Sequence, residues 1–444
     1  MLKAVKKILR PILYGLPWLY DAYHRSQGVL AATTYGFPAM KMRVIGITGT
    51  NGKTTTANIL AHILETNGAR VGMATTVNVW TGAKKWVNET KMTTLSPFAL
   101  QGLLRQMANQ KCRYAIVETT SHALVQHRTW GIFYDMAIFT NLTHDHLDYH
   151  KTFENYRTAK TKLFSELAES LRKPGMPKVS IINISDPNAE HFAKYPADQK
   201  YLYGIDLPAT PATPDIIIYA NNVHEGRQHT YFTLNTPKGS IDIKLRLLGR
   251  FNIYNALAAA SAAYALGVDI QTIQQGIESL WQVPGRMEYV PNNKNLDIII
   301  DYAHTPDGFQ KVFEALRPLS RGNIIAVFGA AGDRDKTKRP ILGQIASQFA
   351  DEIILTEEDP GSENPGAIIN QILAGIDTTK FATGKNLHII LDRKSAVQRA
   401  LTHAKSNDTV LLLAMGAQTV IARKDKKLPY NEREVVQQIL KTMS

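Results

Sequence analysis

The chain has 444 residues, enough for two to four domains with large cores. Its 44% hydrophobic and 20% charged residues exclude a disordered chain, a collagen-like repeat and a polytopic membrane protein. The single cysteine, Cys112, excludes an internal disulfide framework and a multi-cysteine metal site, and 51 Lys+Arg against 38 Asp+Glu, spread along the chain, point to small phosphorylated ligands ahead of nucleic acid.

Residues 1–42 mix Lys3, Lys6, Lys7 and Arg10 with Leu, Ile, Tyr and Trp18. Pro11 and Pro17 break the apolar run, which is too short to span a bilayer, and no small-residue cleavage site follows it. Two readings stay open: a helix packed on the main body, or an amphipathic segment lying on the anionic inner membrane face. From residue 43, short apolar runs alternate with helical stretches. VIGIT precedes a helix over 54–66, YAIVET spans 114–119, MAIFT at 136–140 precedes a helix over 153–172, and VSIIN spans 179–183. This is the rhythm of βαβ units and a mostly parallel sheet. Residues 215–248 alternate as antiparallel strands do, and an Ala-rich helix ended by Gly267 follows. After a VPGR turn at 283–286, five more buried-strand runs follow, at 296–301, 323–329, 352–356, 387–391 and 409–414. The expected fold class is α/β. A short N-terminal helical segment covers 1–42, a central phosphate-loop ATPase domain with a mostly parallel sheet covers 43–283, and a Rossmann-like α/β domain covers 284–444.

VIGITGTNGKTTT is the strongest signal. A strand runs through Gly46 into Gly49, Thr50, Asn51, Gly52, Lys53, Thr54 and Thr55, and then a helix begins. The glycines let backbone N–H groups close around phosphate oxygens, and the helix N-terminus adds partial positive charge. Lys53 can neutralise the β/γ-phosphates of ATP, and the Thr54 hydroxyl can ligate Mg²⁺. The strict G-x-x-x-x-G-K pattern would need glycine at 47, where Ile47 stands, so the loop is a variant. Glu118 ends a buried strand, at the sheet edge where ligands bind, and can complete the Mg²⁺ shell begun by Thr54. FTNLTHDHLDYH sets Asp145, His146, Asp148 and His150 within six residues. Zinc would want a fixed tetrahedral N/S set, so a second Mg²⁺ with His146 as ligand is the preferred reading. Lys160 falls on the following helix; alone, it reads as a surface residue.

GTNGKTTT, ETTSHAL, FTNLTHDHLDYH, YRTAKTKLF, GRFNIYNALAA, VPGRMEYV, DYAHTPDG, VFGAAGDRDKTKRP and PYNEREVV occur in this order. Together they resemble the Mur ligase family, most closely the branch that adds the third residue of the peptidoglycan stem peptide. The resemblance covers residues 43 to about 440. It implies an ATP-dependent, ADP-forming ligase acting on a muramoyl-peptide acceptor and a free amino acid, with ATP and two Mg²⁺. Lys53, Thr54 and Glu118 would serve ATP and the first metal, and His146 the second. Lys160 matches a lysine that the family carries as a carbamate, which supplies anionic oxygen to Mg²⁺. Asn252 and Asn255 match adenine-side positions. Arg286 and Asp301 would reach phosphates and ribose from the second domain, and domain closure would assemble the site. Thr93, Thr94, Ser121 and Arg128 match acceptor-contacting positions. A cytoplasmic monomer with no nucleic-acid partner is expected.

Three departures stand out. Only 42 residues precede the sheet, where the family carries a domain gripping the UDP part of the acceptor. That domain is expected to be short or absent, with 1–42 bringing the enzyme to a lipid-linked acceptor instead. The amino-acid-selecting motif, Asp-Asn-Pro-Arg in diaminopimelate-adding enzymes, is replaced by Glu358, Asp359, Pro360 and Gly361. The Gly-Lys-Gly-His-Glu stretch appears as AMGAQ, with Gln418 at the glutamate position. Loss of a bidentate Arg–carboxylate contact argues against diaminopimelate, and Glu358 with Asp359 would tolerate a cation such as lysine. Arg334 or Lys336 could replace the missing arginine. Two other readings compete: an amino-acid ligase of the folylpolyglutamate or cyanophycin synthetase type, and a non-catalytic nucleotide-binding subunit.

Overall fold

The computed structural model describes residues 16–207, 215–424 and 426–443. The basic cluster from Lys3 to Arg10, and Pro11, lie outside the described residues.

Eleven strands build the first sheet: β1 (Arg43–Thr48), β2 (Val71–Ala74), β3 (Asn78–Thr81), β4 (Lys85–Val87), β5 (Tyr114–Glu118), β6 (Met136–Phe139), β7 (Val179–Asn183), β8 (Gln199–Ile205), β9 (Ile216–Glu225), β10 (Thr230–Thr236) and β11 (Gly239–Leu245). Their order is β11-β10-β9-β8-β7-β6-β1-β5-β2-β3-β4. The central strands are parallel and buried along nearly their whole length, so they read as continuous apolar runs. The alternating region 215–248 forms no sheet of its own. β9 pairs in parallel with β8, and β10 and β11 extend the sheet antiparallel. A second antiparallel margin, β3 and β4, closes the other edge. The helices Lys53–Thr66 and Arg250–Ala265 pack together, and their apolar residues join one core with the sheet. Gly267, at φ +81, follows the second of them.

Register places the chemistry. β1 lies between β5 and β6, with Ile47 opposite both Glu118 and Ile138. The phosphate loop, Glu118 and the 140–150 segment therefore leave the sheet at one edge. Ile47 is fully buried in β1, which explains the variant loop. The position is still strand, and the chain turns only from Gly49.

The N-terminal helix spans Pro17–Thr34. Pro17 does not break it but begins it, because the first helical turn needs no proline N–H. Gly28, Ala31 and Ala32 are buried, and the helix packs against the helix Pro97–Asn109. A Cβ on Gly28 would come 2.6 Å from the His127 carbonyl oxygen. The described part of the segment thus takes the packed reading, while Leu16, Trp18 and Leu30 face solvent.

The second sheet comprises β12 (Glu288–Tyr289), β13 (Asp297–Ile300), β14 (Ile324–Phe328), β15 (Glu352–Leu355), β16 (Leu387–Ile389) and β17 (Thr409–Leu412). Its order is β12-β13-β17-β14-β15-β16, parallel except for β12. At the 283–286 turn, Gly285 has φ +64, and a Cβ there would lie 2.2 Å from the Ala417 nitrogen. That turn is held against the 416–417 backbone by contact only glycine allows.

Candidate active site

The phosphate loop is locked by contacts from the neighbouring strand end. The Thr50 and Asn51 N–H groups donate to the Asn141 carbonyl (2.8 Å) and side chain (2.9 Å), and the Thr140 hydroxyl donates to the Asn51 carbonyl at 2.7 Å. A Cβ on Gly49 would sit 1.9 Å from the Thr140 hydroxyl, and one on Gly52 would sit 2.2 Å from the Asn255 side-chain oxygen. Both glycines have positive φ, so no other residue builds this cradle without displacing its neighbours. Lys53 Nζ donates to the Gly49 and Thr50 carbonyls at 2.9 and 2.8 Å. Burial lowers its pKa, and the Glu118 and Asp145 charges oppose that shift.

Thr54 is the meeting point. Its hydroxyl lies 3.0 Å from both Glu118 carboxylate oxygens, and Arg286 Nη2 of the second domain donates to it at 3.3 Å. Thr76 donates to the same carboxylate from its N–H (2.7 Å) and its hydroxyl (3.1 Å). Thr55 is buried in the first helical turn. A threonine hydroxyl and a carboxylate are hard oxygen donors that suit Mg²⁺, which keeps several waters. Among the described residues, no three His, Cys, Asp or Glu side chains converge in a way that could hold a metal ion.

The 145–150 cluster divides. His146, at φ +55, sets its ring 3.5 Å from the Asp145 carboxylate, with both lining the cavity. His150 turns away and pairs with the Ser121 hydroxyl at 2.9 Å. Burial, reinforced by neighbouring positive groups, pushes His122 down to about 3 and His150 to about 4; it lowers His146 as well, against Asp145. Lys160 is not a surface residue. It is fully buried, donates to the Gly49 carbonyl at 2.6 Å, and sits 4.7 Å from the Tyr156 ring centroid. Burial first, then the Lys53 charge, holds its pKa well below the ordinary lysine range.

The cavity at the loop has a volume of about 350 Å³ and is lined from both domains. Asn252 and Asn255 lie at its floor, joined to each other at 2.9 Å. Asp301 accepts from the Met287 and Ala303 N–H groups at 2.7 and 2.6 Å, so its carboxylate braces the turn that presents Arg286. Burial raises its pKa against the Arg286 charge. Arg286 stacks 4.6 Å from the Tyr302 ring. Sequence reasoning missed the bridge from Asn51 to Asp307 (2.8 Å), and missed Thr76, Lys91, His304 and Lys338, all in the lining. His304, Asp307 and Lys338 fall within the DYAHTPDG and VFGAAGDRDKTKRP motifs, which could have pointed to them, whereas Thr76 and Lys91 stand in no such motif.

The substrate-end positions also divide. Thr93 lines the cavity and accepts from the Thr76 hydroxyl at 2.9 Å. Thr94, Ser121 and Arg128 do not line it. Thr94 donates to the Glu118 carbonyl at 2.7 Å, and Arg128 donates to the Thr94 carbonyl at 3.0 Å. Glu358, Asp359 and Gln418 do line it. Asp359, expected to face a cationic substrate, is already paired with Lys91 at 2.7 Å and accepts the Ala422 N–H at 2.7 Å. Glu358 keeps one buried carboxylate oxygen without a hydrogen-bond partner, as does the Gln418 side-chain oxygen. Burial pushes the Glu358 carboxyl up to about 7. Gly361 has φ +58, and a Cβ there would meet the Asp333 carboxylate at 2.2 Å. Of the two substitutes for a missing arginine, Arg334 lines the cavity, whereas Lys336 pairs with Glu363 at 3.2 Å.

Comparison with known proteins agrees with this layout. Residues 47–263 match the Mur ligase middle domain, and residues 285–416 match the Mur ligase glutamate ligase domain. The chain is 38% identical over 432 residues to a UDP-N-acetylmuramoyl-L-alanyl-D-glutamate--2,6-diaminopimelate ligase of Bacillus cereus, covering 97% of this chain and 85% of the relative. It is 39% identical over 418 residues to a UDP-N-acetylmuramyl-tripeptide synthetase of Roseiflexus sp., covering 91% and 79%. A solved UDP-N-acetylmuramoyl-L-alanyl-D-glutamate--2,6-diaminopimelate ligase superposes with a TM-score of 0.59 at 31% identity, over 90% of this chain and 78% of that one. Mycobacterium tuberculosis folylpolyglutamate synthase, complexed with ADP, superposes with a TM-score of 0.68 at 16% identity, over 88% and 91%, a likeness of fold alone. With both of its α/β sheets matched to Mur ligase domains and more than nine-tenths of its length aligned to curated members, this chain belongs to the Mur ligase family.

Proposed function

We propose that this protein is an ATP-dependent, ADP-forming ligase that joins an amino acid to a muramoyl-peptide acceptor in peptidoglycan stem-peptide synthesis. The observation that carries the reading is the convergence on Thr54. A phosphate-loop hydroxyl, the Glu118 carboxylate and a guanidinium from the second domain meet within 3.3 Å. Such a point suits a reaction in which phosphate charge grows and moves.

A carboxylate does not condense with an amine in water without activation. The acceptor carboxylate attacks the γ-phosphorus of ATP, the bond to the β-phosphate oxygen breaks, and ADP leaves. The amine then attacks the acyl phosphate carbon, inorganic phosphate departs, and the amine proton passes to solvent. Lys53 and Arg286 lie where they can balance the moving phosphate charge. Thr54 and Glu118 would hold one Mg²⁺, and His146 with a carbamylated Lys160 would hold a second; these ions would neutralise phosphate charge. The buried, poorly basic Lys160 amine favours the carbamate. A neutral amine adds CO₂ and loses one proton, giving an anion that the nearby Lys53 charge stabilises against the cost of burial. In this reading residues 43–283 form the ATP-binding domain and 284–444 the closing domain.

Glu358 suits a cationic side chain, since its second carboxylate oxygen has no protein partner. L-Lysine is the first substrate to test, with diaminopimelate disfavoured by Gly361. The enzyme acts as a cytoplasmic monomer. The helix Pro17–Thr34 packs on the main body and leaves Leu16, Trp18 and Leu30 exposed, which supports a peripheral membrane contact by this segment; no helix among the described residues is long and apolar enough to cross a membrane. The deciding experiment is ADP release with UDP-linked and lipid-linked muramoyl dipeptides, and with a pteroyl acceptor, across a panel of amino acids. ADP release that depends on a muramoyl acceptor supports the reading; dependence on the pteroyl acceptor alone, or no acceptor dependence, defeats it.

A further inference from the structure

A second cavity, of about 710 Å³, holds none of the site residues expected from the sequence and has about twice the volume of the one at the phosphate loop. It opens between the two domains, with Trp281 and Met287 of its lining on either side of the 283–286 turn. One wall carries Tyr231 of β10 and Arg246, which follows β11; the other carries Asp297 of β13, Tyr289 of β12 and Arg321.

Three features of this wall are left free to bind. Trp281, Tyr231 and Tyr289 are 59%, 42% and 40% exposed, three large aromatic rings on one cavity wall left partly in water. Neither Arg246 nor Arg321 makes an ion pair among the described residues. The Arg246 guanidinium stacks on the Trp281 indole at 4.6 Å instead, leaving its donors free at the edges of the stack. Asp297 makes no side-chain hydrogen bond among the described residues. Burial pushes its carboxyl up from the ordinary value, the sign of an acceptor partly withdrawn from water.

Each group fits one part of a single ligand class. Guanidinium donors match phosphate oxygens, flat exposed rings match a base, and a carboxylate matches a hydroxyl or ring N–H. The volume lies within the ~300–1,000 Å³ usual for small-molecule sites. We propose that this interdomain cavity is a second nucleotide site, binding a nucleoside diphosphate with its phosphates on Arg246 and Arg321, its base on the Trp281–Tyr231–Tyr289 rings, and a ribose or base donor on Asp297. The site bridges the two domains, as the hydrogen bond from Arg227 to the Leu319 carbonyl already does. A ligand there holds the domains in one relative position, independently of what the phosphate loop binds.

The test is calorimetric titration of UDP, ADP and inorganic pyrophosphate into the full chain, with the phosphate loop saturated by Mg²⁺ and a non-hydrolysable ATP analogue. The titration is repeated on Arg246→Ala/Arg321→Ala and on Trp281→Ala. A nucleoside diphosphate should still bind beside the analogue, with affinity at least ~10-fold weaker in both variants, and pyrophosphate should bind more weakly than either nucleotide. Turnover without added effector should be unchanged in the variants. Trp281→Phe keeps a flat ring and should keep binding, which separates loss of stacking from loss of fold. The proposal is overturned if no nucleotide binds beside the analogue, if the variants bind as the parent does, or if pyrophosphate binds as well as the nucleotides. Binding confined to an RNA oligomer would overturn it too.

Discussion

At the phosphate-loop end of the cavity, Gly49, Gly52, Lys53 and Thr54 come from one run of six residues that leaves a strand and opens a helix. At the other end, Lys91, Glu358, Asp359 and Gln418 come from three separate connections in two domains. The first end is held tightly because two glycines are wedged against Thr140 and Asn255, and the loop backbone is pinned to the neighbouring strand end at Thr140 and Asn141. The second depends on pairs made across the fold, such as Lys91 with Asp359, 268 residues apart. A rigid end suits a constant substrate, ATP. An end assembled from distant charges can change its preference by re-pairing them, without disturbing the loop that does the chemistry.

The largest expected effect lies at the rigid end. Lys53→Ala should lower turnover ~100-fold or more with little change in thermal midpoint, since the ammonium serves phosphate charge and not a core contact. A variant that keeps more than about a tenth of parental activity would place the charge elsewhere, because one lost transition-state donor costs ~100-fold. Lys160→Ala should be nearly as severe. A high concentration of a short carboxylic acid should restore part of the rate by replacing the carbamate oxygens; absence of any rescue together with a plain amine at Lys160 in nucleotide-bound crystals would remove the carbamate from the account.

The variable end should show smaller effects that move selectivity. On an amino-acid panel, kcat/KM should be higher for L-lysine than for meso-diaminopimelate, and Glu358→Gln should narrow that difference. A panel led by diaminopimelate would break the contrast between the two ends. pH sharpens it further. Burial raises the Glu358 carboxyl to about 7, so the folded protein keeps a proton that the unfolded chain releases in the ordinary carboxylate range. That contribution to stability is present at low pH and is lost as pH rises through about 7. The thermal midpoint of the parent should therefore fall, relative to Glu358→Gln, between about pH 5 and 8; parallel curves would show that the carboxyl titrates normally. The smallest effect is expected for Lys91→Met. A partly exposed pair contributes ~1 kcal/mol or less, so stability should drop slightly while the freed Asp359 carboxylate improves KM for cationic amino acids.

The sheet, the phosphate loop and the carboxylate beside Thr54 were readable from the sequence because each is encoded locally. Continuous apolar runs mark buried parallel strands, and Gly49, Gly52, Lys53 and Thr54 can serve phosphate only in the order in which they occur. Register then carries Glu118 and His146 to the same sheet edge as a consequence of strand order. Pro17 as a helix start, Ile47 as a buried strand residue and the burial of Lys160 were not readable in this way, since each depends on which surface packs against it. Neither were the pairing of Asp359 with Lys91, the retreat of Thr94, Ser121 and Arg128 behind the cavity wall, or the second cavity beneath Trp281. A charge pattern shows that an acid and a base exist, but long-range packing decides which acid meets which base. Local geometry thus set the phosphate loop and its neighbours, and the tertiary arrangement set which charges of the cavity are paired and which are left unpaired.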